Sequence, residues 1–558
     1  MILLGAGLLR EAGRDMTDQA KFDAVIVGGG HNGLVCAFYL AKAGKRVCIL
    51  ERRAIVGGAA VTEEFHPGFR NSTASYSVSL LNPKIVREME LARHGLEVKL
   101  RPMAYFAPSA DGRYLLLGRD TDENAAAIAA LSPRDAEAYP KFHARLDALV
   151  DLFRATLFDT PPNPDGGFRD LLTALSLAGR LNKVGLTAQS DLIDLFGKSA
   201  GEILDNWFES DLLKGVLGFD AITGAYASPY MPGSAYVLLH HVFGEANGVR
   251  GAWGHAMGGM GAITQAMARA CEEQGVEIRV SSPVKRVMAD GTGAHGVELE
   301  SGETIRAKTV VSNVHPKVLF EKLTPVGLLP PAFSERIRTW KSGSGVFRMN
   351  VALSELPNFT CLPSSGPGRH HGASILVSPS LAYLDRAFDD ARQIGWSRHP
   401  AIEMHLPSVL DPSLAPPGQH VASLFCQYFA PELPAGRRWE DARAQAVETV
   451  IDTITELAPN FRGSILGHMA LSPMDLETKL GLVGGDIFHG QLRLDQLFSA
   501  RPALGHGDYR SPIAGLYMCG SSTHPGGGVT GVPGHNAARE ILRDGGRRSR
   551  RNKARTTA

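Results

Sequence analysis

The chain has 558 residues, of which 44% are hydrophobic and 21% are charged, and its formal net charge at pH 7 is +1. This composition is ordinary for a soluble globular protein, and the length predicts two or more domains because one domain usually takes roughly 100 to 200 residues. The balanced charge gives no reason to expect a nucleic-acid partner, and no apolar run approaches the roughly 18 residues that a membrane-spanning helix needs.

The first residues differ from a secretion signal. MILLGAGLLREAGRD begins with apolar residues but has neither a basic region nor a small-residue cleavage site. Met16 offers a second start, MTDQAKFDAVIVGGG, just before the first predicted strand. Translation from Met1 and translation from Met16 both stay open.

A strand, a glycine turn and a helix follow one another near the N terminus. FDAVIV at 22–27 is a short β-branched run that predicts a strand buried on both faces. Gly28, Gly30 and Gly33 then spell G-x-G-x-x-G, and apolar residues recur at helical spacing from Asn32 onward. This order predicts a dinucleotide-binding turn.

The next strand supplies the acidic residue that such a turn requires. The strand is predicted at 46–50, and Glu51 follows it, eighteen residues after Gly33. An acid at this distance receives ribose hydroxyls, while Gly30 lets backbone N–H groups approach the pyrophosphate. Gly28 permits the tight turn, and Gly33 permits close packing of the helix on the strand.

The residues after Glu51 indicate which dinucleotide is bound. Glu51, Arg53 and the pair Gly57-Gly58 give the pattern E-x-R-x-x-x-G-G, in which the sequence resembles the flavin-dependent amine oxidase and phytoene desaturase superfamily. The resemblance implies FAD, with Glu51 on the adenosine ribose and Arg53, beside Arg52, at the adenosine end. It also implies that Gly57 and Gly58 pass close to the flavin side of the pyrophosphate.

Three further residues bear on the phosphate end of the cofactor. His31 and Asn32 occupy the glycine turn, and we expect them to shape it or to contact phosphate. Many amine oxidases carry an arginine after the second glycine pair, where this sequence has Ala59. Backbone amides and the helix dipole must then supply most of the stabilisation of the negative phosphate charge.

The middle of the chain alternates between helical and strand-like stretches. Residues 96–250 read as mostly helical, whereas VASLFCQYFAP at 421–431 predicts a strand that lines a pocket. Stretches 168–186 and 190–208 have apolar residues at the spacing of amphipathic helices, namely Leu171, Leu172, Leu175, Leu181, Ile193, Leu195, Ile203 and Leu204. Such stripes usually belong to a core; the alternative is a surface helix in peripheral contact with a membrane, admitting substrate from the lipid phase.

Between these stretches the chain returns to the cofactor. Residues 258–275 predict a helix, and short alternating strands with turn signals follow from 276 to 313. In the resembling superfamily, the backbone near Val284 meets adenine, and the strand end at 310–313 is similar too.

A second glycine fingerprint lies at 524–535, HPGGGVTGVPGH. An independent dinucleotide site needs a strand leading directly into the glycines and a later strand with a ribose acid. Here residues 520–525 separate the predicted strand at 515–519 from the glycines, and only a polar tail follows the helix predicted from Val532. The segment is therefore predicted to belong to the first site.

The resemblance gives this C-terminal loop a role on the flavin. It implies that Gly520 lies by the ribityl-phosphate chain and that Val529, Thr530 and Gly531 lie by the isoalloxazine. A helix N terminus beside the pyrimidine edge suits the negative charge that a reduced flavin carries. One FAD is thus predicted to be held by both ends of the chain.

The predicted fold class is α/β, with a discontinuous Rossmann-like FAD-binding domain and an inserted α+β substrate domain, like the amine oxidases and phytoene desaturases. The FAD-binding domain is predicted to comprise residues 20–95, 251–320 and 499–545. The substrate domain is predicted to comprise residues 96–250 and 321–498, and a disordered basic tail is predicted at 546–558.

Further motifs extend the resemblance over nearly the whole chain. They are ERRxxxGGAAVTEE, SPYMPGSAYVLLHHVFG, GAWGHAMGGMG, DIFHGQLRLDQLF and CGSSTHPGGGVTG. Together they resemble the phytoene-desaturase-related group called pyridine nucleotide-disulfide oxidoreductase domain-containing protein 2.

The predicted function is that of an FAD-dependent dehydrogenase or desaturase, which moves a hydride from a small apolar or isoprenoid-like substrate to flavin N5. His524, next to the flavin-facing glycines, and His241, in an apolar run, are the candidate catalytic residues. His240, His255 and His489 are weaker candidates. Their scattered spacing predicts no metal site.

Other functions stay open at this stage. They are a flavin amine oxidase, a redox-neutral polyene isomerase and a non-catalytic FAD-stabilised binding or assembly protein. The sequence identifies neither the electron acceptor nor the oligomeric state.

The cysteines indicate the compartment. The six are scattered, and no two form C-x-x-C, so the sequence predicts neither a disulfide framework nor a dithiol redox centre. A reducing, cytoplasmic compartment is expected, with peripheral membrane contact as an added alternative.

Overall fold

The computed structural model describes residues 21–556, with side chains described as far as residue 546. Met16, the second candidate start, lies outside these residues. The strands up to the middle of the chain are β1 Ala24–Val27, β2 Val47–Leu50, β3 Thr62–His66, β4 Phe69–Ser72, β5 Val98–Leu100, β6 Met103–Pro108, β7 Tyr114–Gly118, β8 Glu245–Ala246, β9 Val249–Arg250, β10 Gly254–Ala256 and β11 Glu277–Arg279. The later strands are β12 Val284–Asp290, β13 Gly293–Leu299, β14 Thr304–Arg306, β15 Val310–Ser312, β16 Val346–Leu353, β17 Ser374–Val377, β18 Trp396–His405, β19 His420–Phe429, β20 Ile465–Leu471 and β21 Leu516–Met518.

The α-helices before residue 250 are α1 His31–Lys42, α2 Pro83–Glu88, α3 Thr121–Ala129, α4 Pro133–Arg154, α5 Phe168–Lys183, α6 Gly185–Gly197, α7 Ala200–Trp207, α8 Asp211–Ile222 and α9 Ala235–Val242. Those after it are α10 Gly261–Glu273, α11 Pro331–Arg338, α12 Leu381–Ile394, α13 Trp439–Thr455, α14 Phe461–Ser464, α15 Pro473–Leu480 and α16 Val532–Thr556.

Strands from both ends and the middle of the chain form one parallel sheet. Its order is β11-β2-β1-β15-β21, and Val25 in β1 pairs with Cys48 of β2 on one side and with Val310 of β15 on the other. Alternate residues of β1 enter two cores, Ile26 packing among helices α1, α10 and α16 and Val25 among β12–β14. A parallel sheet covered on both faces explains why these strands are almost uniformly apolar. The discontinuous Rossmann-like domain is thereby confirmed.

The inserted lobe contains a larger mixed sheet of order β20-β16-β19-β18-β17-β6-β7. The strand predicted at 421–431 is β19, and it pairs antiparallel with β16 and β18, which the sequence did not reveal. Phe425 of β19 faces helices α4 and α6–α9, whereas Leu424 and Cys426 face α13. This alternation gives the lobe one core on each side of its sheet.

The amphipathic stretches form helices, with one difference from the prediction. The stretch 190–208 divides into α6 and α7, because Ser199 accepts a hydrogen bond from the Glu202 N–H at 3.1 Å and caps a new helix. Leu195 and Leu204 are buried, but Leu171, Leu172 and Leu175 of α5 are 55%, 49% and 59% exposed. Among residues 21–556, no helix is both long and apolar enough to cross a bilayer.

The C terminus differs from the predicted disordered tail. Helix α16 continues through residues 546–556, so the backbone there is helical. Arg, Lys and Ala are good helix formers, and adding a residue to an existing helix avoids the cost of nucleation. The exact domain boundaries stay a prediction.

Candidate functional site

The first glycine turn joins β1 to α1 at the carboxyl edge of the parallel sheet. Gly28 has a φ of +98°, and its N–H donates to the Leu50 carbonyl of β2 at 2.8 Å. A Cβ on Gly33 would lie 2.3 Å from the Gly28 oxygen, closer than any side chain tolerates. The predicted reasons for these two glycines, a left-handed turn and close helix packing, therefore hold in the structure.

The second glycine pair lies directly opposite the first turn. The Gly57 N–H donates to the Gly29 carbonyl at 2.9 Å, and Gly57 and Gly58 both have positive φ, +134° and +59°. A Cβ on Gly30 would lie 2.8 Å from Asn313 Nδ2 and 3.9 Å from the Gly58 Cα. The two loops thus form a narrow, side-chain-free cleft in which backbone amides can reach a phosphate.

Glu51 ends β2 beside this cleft and is only 6% exposed. Its Oε2 accepts the Gly29 N–H and its Oε1 accepts the Arg53 N–H, both at 2.9 Å. The carboxylate is therefore fixed at the strand end, where a ribose would be held. Arg53 also forms an ion pair with Glu63 at 2.6 Å.

A cavity of about 690 Å³ opens beyond these elements, at the ends of β1, β2 and β15. Ligand crevices of open α/β sheets lie at this edge. The predicted site residues that line it are Gly28, Gly30, His31, Glu51, Arg52, Arg53, Gly58, Val284, Val529 and His241. One cavity thus joins the N-terminal turn, the middle of the chain and the C-terminal loop.

The remaining predicted site residues do not line the main cavity but lie next to the residues that do. Asn32 is buried and donates from Nδ2 to Ser521 Oγ at 3.1 Å. A Cβ on Gly520 would lie 2.9 Å from the Asn313 oxygen, and one on Gly531 would meet Val35 at 3.1 Å. Close packing accounts for these glycines. Gly33, Gly57 and Thr530 also lie outside the lining, Thr530 bordering a second cavity.

His524 lies away from the main cavity. Its ring lines the second cavity, and Nε2 is 3.1 Å from the Thr156 carbonyl oxygen. Its own carbonyl accepts the Tyr509 hydroxyl at 2.9 Å. Burial lowers the pKa of His524 to about 4. These contacts give the residue a structural role, and we do not retain it as a catalytic candidate.

His241 lines the main cavity, together with His240 and His489. Its Nδ1 lies 2.9 Å from the Val237 carbonyl oxygen, and burial lowers its pKa. Burial, with His241 nearby, also lowers the pKa of His240, to about 3. Burial lowers the pKa of His489 to about 4 as well, so all three rings are neutral at pH 7 and are weak proton acceptors. His255, by contrast, is buried outside the lining against Asp411.

Several buried polar atoms on the cavity wall suit a polar ligand such as FAD. His31 Nε2, His489 Nδ1 and Arg53 Nη1 have no hydrogen-bond partner among the described residues. Burying such atoms unpaired is costly, so their presence around one cavity indicates a ligand that supplies the partners. The cleft, the fixed Glu51 and these atoms fit FAD, and the two glycine loops and Glu51 are the residues that would hold it.

The inserted lobe adds a carboxyl group that the sequence motifs did not indicate. Asp220 of α8 lines the cavity, is 9% exposed, and its Oδ2 accepts the Tyr105 hydroxyl at 2.8 Å. Burial raises its pKa to about 7, and the charge of Glu403 adds to that effect. A lone acid in the apolar run VLGFDAI was the available signal, because buried acids are rare unless paired.

Glu403 of β18 is a second buried acid on the wall, but it is tightly held. Its Oε1 is 2.7 Å from His405 Nε2, and Tyr76 donates its hydroxyl to Oε2. Arg101 lies against the same histidine, with Nη2 2.6 Å from Nδ1. Burial opposes the charged form, but His405, Tyr76 and Arg101 together hold the pKa of Glu403 at about 2. The two neighbouring acids therefore differ in protonation.

A dinucleotide cradle built from both chain ends and covered by a separate lobe defines an FAD-dependent oxidoreductase. Residues 33–348 match the model of the family described as flavin containing amine oxidoreductase. This match spans more than half of the chain, and the chain belongs to that family. The predictions of FAD and of an amine oxidase or phytoene desaturase-like fold are confirmed.

Relatives agree along nearly the full length. Pyridine nucleotide-disulfide oxidoreductase domain-containing protein 2 of Rattus norvegicus is 43% identical over 544 residues, 94% of each chain. Phytoene desaturase (lycopene-forming) of Pantoea ananas is 25% identical, covering 91% of this chain and 96% of the relative. The resemblance inferred from the motifs is thereby confirmed.

A solved structure shows the same fold. Wild-type putrescine oxidase bound to putrescine superposes with a TM-score of 0.56 over 94% of this chain and 98% of its own, at 16% identity. Divergence at this level preserves the architecture, whereas the substrate depends on the residues of the individual site.

Proposed function

We propose that the protein is an FAD-dependent dehydrogenase or desaturase of a neutral, apolar or isoprenoid-like substrate. A second cavity of about 400 Å³ carries this proposal. It adjoins the first, since Ser79, Leu80, Leu81 and His240 line both. Its wall is otherwise mainly Leu and Phe side chains, including Phe153, Leu181, Phe196, Phe243, Leu497 and Phe498.

A mostly apolar space of this size suits an apolar ligand. Empty apolar cavities cost stability in proportion to their volume, and ligand sites are typically mostly apolar with few polar groups. A hydrocarbon portion of the substrate suits the second cavity, while its reacting carbons lie in the first. The likeness to a relative named for desaturation of phytoene supports this substrate class.

The charges on the main cavity favour a neutral substrate over an amine. Burial raises the pKa of Asp220 to about 7, so this carboxyl group offers no permanent counter-charge to an ammonium group, and Glu403 is already paired with His405. The Tyr76 ring, which an ammonium group could otherwise contact, carries the Arg348 guanidinium 4.5 Å from its centroid. A substrate cation would meet a buried cation at that point.

Bound FAD would supply the hydride acceptor of the reaction. The chain's own contribution is to hold the cofactor by its two glycine loops, to keep the substrate in an apolar enclosure and to exclude water. The buried wall residues Phe425 and Phe488 contribute to that enclosure.

An anaerobic reduction assay tests the proposal with two probes. We expect 1,4-cyclohexadiene, a neutral hydrocarbon, to bleach the flavin absorbance of the holoprotein at least tenfold faster than benzylamine at pH 7. Faster bleaching by benzylamine would replace the proposal with an amine oxidase. Isomerisation of a polyene only after the flavin has been reduced would favour the isomerase. A stoichiometric flavin that neither probe nor dithionite bleaches would favour the non-catalytic protein.

We further propose that the substrate reaches the cavity from a lipid surface. Leu177 and Leu181 of α5 line the second cavity, while Leu171, Leu172 and Leu175 of the same helix face solvent. Phe168 is 73% exposed at the start of that helix. A helix that is apolar on its outer side as well as its inner side suits the membrane interface.

Charging the outer side of α5 is expected to weaken vesicle binding. The double variant Leu171→Asp/Leu175→Asp should bind phosphatidylcholine–phosphatidylglycerol vesicles at least tenfold more weakly in co-sedimentation, because each buried leucine contributes roughly 1.5 to 3 kcal/mol. The double variant Val326→Asp/Leu466→Asp is the matched control, since those residues are also exposed but lie outside α5, in a loop and in β20. Equal binding by wild type and both variants would contradict the proposed lipid contact.

A further inference from the structure

We propose that Asp220 is the proton acceptor of the oxidation, with Tyr105 as the residue that positions its carboxyl group. This inference deepens the proposed dehydrogenation and rests on it. Desaturation removes a hydride from one carbon and a proton from a second carbon, which is its neighbour or, as in 1,4-cyclohexadiene, is linked to it through C=C bonds. The hydride leaves with its electron pair to the bound flavin, and the electron pair of the second C–H bond forms the new π bond. The proton goes to Asp220, whose carboxylate becomes a carboxylic acid and later returns the proton to water.

The position of Asp220 fits this role. The side chain reaches the main cavity from the last turn of α8, and Thr223, Trp253 and Phe425 also line that cavity. Tyr105 donates to Oδ2 only, and Oδ1 accepts no hydrogen bond from any described residue. One carboxyl oxygen is thus held in place and the other is free to take a proton from a ligand.

No cation among the described residues stabilises the charged form of Asp220. Among the described residues, the titratable groups that act on it or contact it are Tyr105 of β6, Tyr139 of α4, Glu403 of β18 and His241 of α9, whose ring lies against the Asp220 backbone carbonyl. None of these groups carries positive charge at neutral pH. The nearby guanidinium groups contact other residues: Arg101 lies against His405, and Arg348 donates to the Leu424 carbonyl. A buried carboxyl group without a counter-charge is costly, and such groups concentrate at functional sites.

The other titratable groups of the cavity are poorer acceptors. Glu403 is held as a carboxylate with a pKa of about 2, and such an acid retains a proton weakly. His240 has a pKa of about 3, and the Nδ1 of His241 lies against the Val237 carbonyl. Asp220, with its pKa raised to about 7 by burial, is the group matched to neutral pH.

Dicyclohexylcarbodiimide tests the inference without a substrate. This apolar reagent adds to protonated carboxyl groups in apolar surroundings, where the carboxyl oxygen bonds to the carbodiimide carbon and the proton passes to its nitrogen. With the holoprotein at pH 6, we expect one adduct, mapped by mass spectrometry to Asp220. Its formation should slow roughly tenfold for each pH unit above 7, as the protonated fraction falls. Asp111, an exposed acid paired with Arg113, is the internal control and should stay unmodified.

Two variants connect the label to the mechanism. Asp220→Asn should remove the adduct. Tyr105→Phe should keep the adduct but move its pH midpoint upward, because the Tyr105 hydroxyl stabilises the carboxylate. The modified holoprotein should retain FAD yet lose bleaching by 1,4-cyclohexadiene at least a hundredfold.

The outcomes separate the two proposals. No adduct on Asp220, or labelling equal at pH 6 and pH 9, would overturn the role of Asp220 whatever the diene does. Unchanged bleaching by the labelled holoprotein would overturn it as well. A labelled Asp220 in a protein whose flavin only benzylamine bleaches would instead overturn the proposed desaturation.

Discussion

Replacing Gly30 by leucine is expected to abolish FAD retention while leaving the fold intact. Gly30 has an ordinary backbone conformation, with φ −71° and ψ 169°, so leucine can adopt it. Its side chain, however, would start 2.8 Å from Asn313 Nδ2 and enter the cleft between the two glycine loops. Gly28 is the poorer target because its φ of +98° would strain the fold itself.

The size of the effect follows from the hydrogen bonds that the cleft supplies. Each bond from a backbone amide to a charged phosphate contributes roughly 1.5 to 3 kcal/mol. Losing two of them would weaken FAD binding on the order of 10²- to 10⁴-fold. The measurement is the flavin-to-protein ratio after purification, together with titration of the apoprotein with FAD.

A matched glycine variant separates cofactor loss from misfolding. Gly291→Leu places the same side chain in open space, with nothing within 4 Å of its Cβ. It should retain FAD like the wild type, and circular dichroism should be the same for both variants. Stoichiometric flavin in Gly30→Leu would show that the phosphates lie outside this turn.

The cofactor half of the protein was predictable because its signals are local. The turn at Gly28, Gly30 and Gly33, the strand before it and Glu51 after it lie within about thirty residues, and each is constrained by backbone conformation or strand burial. The two glycine loops lie against each other at the ends of β1 and β2, whereas their contacts with FAD stay a prediction. The lack of a second βα unit after the C-terminal loop predicts that this loop belongs to the same site, and the preceding strand β21 pairs with β15 of the same sheet.

The substrate half was less predictable because its site is assembled from distant residues. Asp220 comes from a helix, Tyr105 and Glu403 from strands β6 and β18, and only the seven-stranded sheet brings them together. No spacing rule connects positions so far apart in the chain. His524 is the opposite case, because a residue close to the glycines in sequence lies away from their site in space. Its position in the sequence predicts a place in the main cavity. The chain instead turns its ring towards Thr156.

Asp220→Asn is expected to slow flavin bleaching by 1,4-cyclohexadiene on the order of 10²- to 10⁴-fold, the usual contribution of a positioned general base. The same substitution should stabilise the folded protein at alkaline pH. Asparagine is nearly the shape of the protonated acid and can still accept the Tyr105 hydroxyl, but it never becomes charged. A variant that is more stable and less active would show that the carboxyl group is kept for its chemistry.

The pH dependence fixes the sign of the stability effect. Asp220 has a pKa of about 7 in the folded protein and about 3.8 when exposed, so its stabilising contribution is complete below pH 4 and lost as the pH rises to 7. Asparagine avoids that loss, and the gain should be about 4 kcal/mol above pH 7, decreasing by about 1.4 kcal/mol for each unit between pH 7 and pH 4. Urea unfolding of wild type and Asp220→Asn at pH 5 and at pH 8.5 measures the gain in unfolding free energy at each pH. Asp111→Asn is the control, because Asp111 is exposed and its substitution should change stability little. A gain that is equal at the two pH values would mean that the folded protein does not raise the pKa of Asp220, and the proton acceptor would have to be sought elsewhere on the cavity wall.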